Sequence, residues 1–184
     1  NIGAGLRIHG GENRRPYKTP KHAFRLNFKG DYGSGDLAFP VFADYQLQNF
    51  DTLVLRATFG NTWLHWDTAQ RTQTEYIRDP WIRKAHMDMG QVDGAARFAH
   101  VYLNGLYWGV YTVSERADAN FLSAHFGGAK ESWDAINSGE AIDGTMTVWN
   151  QMMALANAGL ASNSAYEALQ RYVDVVNLAD YMLI

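Results

Sequence analysis

The sequence predicts an α+β chain in which antiparallel strands come first and helices follow. Three observations carry this expectation. Short alternating or aromatic segments punctuated by Gly, Asn and Asp fill residues 1–115. A hairpin pattern closes that stretch at Arg97 to Glu115, and helix-spaced apolar residues with cap signals fill residues 116–184. The expected organisation is therefore a β-rich unit over 1–115, holding one internal helix at about 79–89, followed by a helical unit over 116–184. No internal repeat is visible.

Each element has a local reason. Gly5 to His9 reads as a short strand that runs into the glycine-rich, basic loop Gly10-Gly11-Glu12-Asn13-Arg14-Arg15-Pro16. Phe24, Leu26 and Phe28 alternate with Arg25, Asn27 and Lys29, the period-two pattern of a strand with one face buried, and Lys21 stands at its start. Asp31 to Asp36 is a Gly/Ser/Asp turn. Leu53 to Ala57 is the next strand, bounded by Asp51 and by Gly60-Asn61. Asp79 is suited to be an N-cap and Pro80 to the first helical position, so a helix starts there, turns Trp81, Ala85 and Met89 to one face, and stops at Gly90. Asn104-Gly105 between two aromatic-rich runs supplies both positive-φ positions of a type I′ turn. After the polar joint Ser114 to Asp118 come short helices. One places Trp149, Met152, Met153 and Ala156 at i, i+3, i+4, i+7, one opens on a Ser164/Glu167 capping box, and a last one, capped by Asn177, contains Asp180 and Tyr181.

Composition bounds the function. With 184 residues, 47% hydrophobic and 19% charged, the chain can bury one domain core and is not disordered. A net charge of −3 argues against a protein whose main task is gripping nucleic acid. Even so, Arg7, Arg14, Arg15, Lys18, Lys21, Arg25 and Lys29 crowd the first thirty positions and make a local anion-attracting region. No apolar run reaches the ~20 residues of a membrane span, and nothing at the start resembles a signal peptide. Because the chain begins at Asn1 without Met, it is read as a processed or trimmed piece of something longer. The absence of cysteine excludes disulfides and thiolate metal sites. Trp63, Trp66, Tyr107 and Trp108 are expected mainly in the core, with one of them available to stack on a ring.

Familiar catalytic patterns are missing: there is no G-x-S-x-G, no HExxH and no GxxxxGK[ST]. The six histidines, His9 included, lack metal-ligand spacing and read as structural or surface residues. Asp143-Gly144 is a plain turn. No metal site is expected within the chain.

A more specific signal comes from ordered blocks. Gly5-Leu6-Arg7-Ile8-His9-Gly10-Gly11, then Arg14-Arg15, then Lys21-His22-Ala23-Phe24-Arg25-Leu26 are followed by Phe50 to Ala57, by Tyr76-Ile77-Arg78-Asp79, and by Val101 to Tyr111 with Glu115-Arg116. Together these resemble the CotH family, the spore-coat-type atypical protein kinases, whose lysine begins a strand of the form K-x-x-[FY]-R-L-x-F. Trp63 to Trp66 and Asn137 to Glu140 have counterparts in long-insert bacterial relatives.

The resemblance implies an atypical protein-kinase-like fold, with an antiparallel β-rich small lobe leading into the first helices of a helical lobe. It implies ATP with Mg or Mn, and transfer of the γ-phosphate to Ser or Thr of a protein substrate. Lys21 is then the candidate phosphate-contacting cation, with Arg56 and either Arg7 or Arg14 in support, because fixed cations are what phosphoryl transfer requires. Glu115 stands at the crossing between lobes, where orienting the lysine and contacting the nucleotide are both open roles. Plainer roles stand beside these: Lys21 as an exposed lysine at the start of its strand, Arg56 as a structural partner of Glu75 or Asp79, and Asp79 as a helix cap. The family's catalytic aspartate, asparagine and metal-binding acids are expected beyond Ile184, so Asp174 and Asp180 are not assigned to catalysis. Where relatives carry an aspartate after the second motif strand, this chain has Asn61. The alternatives to a kinase are a pseudokinase-like or structural surface module and, more distantly, a carbohydrate-binding module. The family also implies export, to the cell surface or the spore.

Overall fold

The computed structural model describes residues 1–33 and 35–184; Ser34, inside the turn expected over Asp31 to Asp36, lies outside the described residues. Five strands form one antiparallel sheet: β1 (Gly5–His9), β2 (Ala23–Asn27), β5 (Thr52–Arg56), β7 (Leu106–Glu115) and β6 (Ala96–Leu103), in the spatial order β1-β2-β5-β7-β6. A ribbon of β3 (Leu37–Ala38) and β4 (Asn49–Phe50) is separate from it. The chain is α+β, with antiparallel strands before most of its helices, as the sequence predicts.

The β6–β7 hairpin forms because Asn104 (φ 51°) and Gly105 (φ 81°) both take the left-handed conformations that its turn requires. Register then decides what each face of the sheet carries. Phe24 faces Leu55, Leu26 faces Leu53, and Leu55 faces Val113, so cross-strand neighbours put one apolar set on one side. That side packs Leu53 and Val113 with Phe28, Phe42, Phe50 and Ala95, and a second cluster joins Ala23, Phe24, Ala57, Val101 and Tyr111. The other side follows from the same register: Arg7 is opposite Arg25, Arg25 opposite Val54, Val54 opposite Ser114, and Arg56 opposite Thr112. It is polar and basic, and the buried Oγ atoms of Thr112 and Ser114 have no hydrogen-bond partner among the described residues.

The chain divides into two compact units. The first comprises Asn1–Lys84 with Asp93–Arg116, and the second Ala85–Val92 with Ala117–Ile184. Helix α1 (Thr68–Thr72) lies in the first unit, and α2 (Arg78–Asp88) runs from the first into the second. The second unit also holds α3 (Ala119–Phe126), the ribbon of β8 (Ala135–Asn137) and β9 (Glu140–Asp143), α4 (Thr147–Ala158), α5 (Asn163–Gln170) and α6 (Val175–Leu183).

Several local expectations need correction. Asp79 does not cap α2. It is the helix's second residue, and its carboxylate is taken by Arg83 (3.2 Å) and Arg56 (3.5 Å). The buried residue of α2 is His86, while Trp81 is exposed. Helix α5 is capped two residues before the expected box, by Ser162 accepting from the Ala165 amide. Helix α6 is capped by Asp174, whose Oδ1 accepts from the Asn177 amide, while the Asn177 side chain donates to Gln91 Oε1 at 2.9 Å. Asp143 ends β9 and accepts from the Ala119 amide at the start of α3, so it does more than make a turn.

Candidate functional site

Antiparallel pairing brings the last residue of β1, the first of β2 and the last of β5 to one edge of the sheet. At that edge lies a cavity of about 400 Å³, lined by His9, Gly10, Gly11, Glu12, Ala23, Arg56, the loop Ala57 to Asn61, and Asp79. All of these residues belong to the first compact unit. Gly10, at φ 107°, turns the chain away from β1 in a conformation that disfavours an L side chain. At Gly11 and Gly60 a Cβ would meet no atom within 4 Å, so both loops border open space. Thr58 is left-handed (φ 52°), and its buried Oγ1 has no hydrogen-bond partner among the described residues.

The electrostatics of this edge are positive. Burial is the main reason His9 holds its proton less readily than a free imidazole, and Arg116, Arg56, Arg7 and Arg14 push it the same way. Burial also lowers Arg56, against the attraction of Asp79 and with a smaller push from Arg83. The nearby acids are already engaged. Asp79 is shared between Arg56 and Arg83, Arg83 also meets Asp93 at 3.1 Å, and Glu12 pairs with Arg15 at 3.3 Å. Asn61, where an acid was expected, is neutral and accepts from Arg78 at 3.3 Å. Glycine loops bordering open space, an orphaned threonine hydroxyl, the Arg56 guanidinium in the lining and the positive field of further arginines at His9 suit an anion with several oxygens, such as a phosphate chain. Among the described residues no cluster of three or more His, Asp or Glu is assembled to hold a metal ion.

The expected site residues are not all brought together. Arg56 lines the cavity, and Arg7 and Arg14 act electrostatically on His9 within it. Lys21 does not line it. Its Nζ donates to the Val110 carbonyl and, at 3.3 Å, to the Tyr76 hydroxyl, and it sits 4.4 Å over the Tyr111 ring. Tyr76 donates to the same Val110 carbonyl at 2.6 Å, so lysine and tyrosine share one acceptor on β7. Glu115 is buried at the end of β7, where the Tyr45 hydroxyl donates to its carboxylate. Burial, followed by that hydrogen bond, raises the Tyr45 pKa well above the usual phenol value. Glu115→Gln is therefore expected to destabilise the fold by about 1–2 kcal/mol through loss of a charge-assisted bond, and to leave phosphate affinity within about twofold; urea denaturation and calorimetric titration measure the two separately.

The four aromatic residues expected in the core are instead exposed: Trp63 at 68%, Tyr107 at 53%, Trp66 at 49% and Trp108 at 46%. Trp66 lies under the Lys18 ammonium at 3.7 Å, Trp63 is 6.1 Å from the Tyr76 ring, and Tyr107 meets Tyr102 and hydrogen-bonds His100 at 3.0 Å. None of them lines the cavity. The residues that sequence reasoning passed over are His9 and Thr58. The available signal for His9 was its place directly before Gly10-Gly11, between Arg7 and Arg14.

A family model described as "CotH kinase protein" matches residues 6–184. No curated protein matches the chain.

Proposed function

Because the chain belongs to the CotH kinase protein family, we propose that it carries the nucleotide-side part of an atypical protein Ser/Thr kinase, with ATP as phosphate donor and Mg or Mn as accompanying cation. The observation that carries this reading is the cavity at the ends of β1 and β5, which Arg56 lines and where Arg7, Arg14 and Arg116 act electrostatically on His9. Arg56 would hold phosphate oxygens through its planar fork, with Arg7 and Arg14 adding charge, while Gly10 and Gly11 let the backbone approach closely. Bound ATP supplies the γ-phosphoryl group that a Ser or Thr hydroxyl of a protein substrate receives. The protein's own share is positioning and charge neutralisation, which is most of what phosphoryl transfer asks of an enzyme.

Lys21 would reach the phosphates only by leaving the Val110 carbonyl and the Tyr76 hydroxyl. That engagement favours a second reading, a phosphate-binding module of the same family that does not transfer. Asp174 and Asp180 are occupied as the cap of α6 and as acceptor from Gln91 at 2.5 Å, so neither is assigned to catalysis. We propose, by analogy with the family, that the protein acts outside the cell or on the spore surface.

The test is titration calorimetry with ATP and with inorganic tripolyphosphate, then radiolabel transfer by the full-length protein with Mg or Mn. Arg56→Ala is expected to weaken both ligands by about tenfold or more, the loss of one charge-assisted phosphate contact. Lys21→Met is expected to abolish transfer if the kinase reading holds. Binding without transfer in the wild type favours the second reading; absence of binding by either ligand overturns both.

A further inference from the structure

His9 lines the cavity, and phosphate binding through Arg56 leaves it no task. It ends β1, lines the cavity with Arg56 and Asp79, and precedes the Gly10-Gly11 turn. Its surroundings can be followed element by element. Arg7 lies on its own strand, with Arg25 opposite Arg7 on β2; Arg14 comes from the turn after β1, Arg56 from β5, and Arg116 from the residue after β7. The acids at the cavity are Glu12, paired with Arg15, and Asp79, paired with Arg56 and Arg83. The balance facing the imidazole is thus positive and disfavours a further positive charge.

A phosphate chain among these arginines reverses that balance. Its oxygens offset the guanidinium field and present acceptors, and an imidazolium, unlike a neutral ring, can donate from both nitrogens. We propose that His9 is a phosphate-contacting residue that takes one proton from solvent as the phosphate chain enters the cavity, so that proton uptake and phosphate binding are one coupled event. This rests on the phosphate-binding reading of the cavity, and it adds a ligand contact and a pH response which that reading does not require. By linkage, whatever raises the proton affinity of His9 in the complex also strengthens the phosphate as pH falls. A rise of one pH unit in the imidazole midpoint corresponds to about tenfold in affinity between the two protonation states.

The experiment is an NMR titration of the imidazole protons, with and without inorganic tripolyphosphate, the His9 signal being assigned by its loss in His9→Gln. The His9 midpoint is expected to rise by about one unit or more on binding, and calorimetry in buffers of different ionisation enthalpy should show proton uptake in the wild type that is lost in His9→Gln. Arg116→Gln is a second variant that should raise the His9 midpoint without any ligand, since it removes the neighbouring positive charge that acts most strongly on the imidazole. Tripolyphosphate that binds with its usual heat while the His9 midpoint stays fixed overturns this inference and leaves the phosphate reading standing. Failure of tripolyphosphate and ATP to bind overturns both.

Discussion

Replacing Tyr111 by alanine is expected to destabilise the fold by about 3–5 kcal/mol, the range for deleting a buried aromatic ring. Tyr111 is 0% exposed and lies in a cluster with Ala23, Phe24, Ala57 and Val101, its ring 5.9 Å from that of Phe24. Its hydroxyl donates to the His22 carbonyl at 3.0 Å, and Lys21 rests over its face. The substitution therefore opens a cavity, removes a donor to the His22 carbonyl and takes away the surface on which Lys21 sits. Tyr111→Phe keeps the ring and loses only the hydrogen bond, so about 1 kcal/mol is expected there. Urea midpoints of the two variants separate packing from hydrogen bonding; an alanine variant within 1 kcal/mol of the wild type would mean that the cluster collapses around the gap.

Alkaline pH is expected to have the second large effect, through the same side chain. Burial raises the Tyr111 pKa from 10.0 to about 12, and burial also raises Tyr45. Below pH 10 both phenols are protonated whether the chain is folded or not, and their linkage contribution is fully present. Above it the unfolded chain ionises first, so stability falls as pH rises towards the folded value, by about 1.4 kcal/mol per pH unit for each tyrosine. Across the window from 10.0 to about 12, Tyr111 alone accounts for roughly 2–3 kcal/mol. Denaturation at several alkaline pH values, together with phenolate absorbance of the native protein, measures this. Stability that stays level across that window, or native phenols that all ionise near pH 10, would refute it.

The five strands of the main sheet were legible because their signals are local, whereas the short ribbons β3–β4 and β8–β9 were not. Asn104-Gly105 demands its turn, and the alternation of Phe24, Leu26 and Phe28 needs no distant partner to make a half-buried strand. Helix starts were harder because the residue type shows what can cap, and neighbours decide what does. Asp79 was drawn to Arg56, 23 positions back in the chain (79 − 56), and Ser162 rather than Ser164 reached the α5 amides. Trp63 and Trp66 misled for a related reason: a loop around Gly60 does not announce which side its indoles take. At the candidate site, Arg56 was visible as the basic end of a strand. The setting of His9 was only half visible, since Arg7 and Arg14 are near it in the chain whereas Arg56 ends β5 and Arg116 follows β7.

The place of β7 between β6 and β5 also bears on how the first unit comes together. Its pairing with β6 needs only a two-residue turn, whereas the bond from Tyr111 to His22 joins groups 89 positions apart. Closing so long a loop carries a large entropic cost before any contact rewards it. The hairpin is therefore expected to form before β5 and β2 pair at its free edge, an order that φ-values for hairpin and β2 variants would test. Arg56, at the end of β5, meets the cavity residues of β1 and β2 only when those strands pair, so the site is completed together with the sheet.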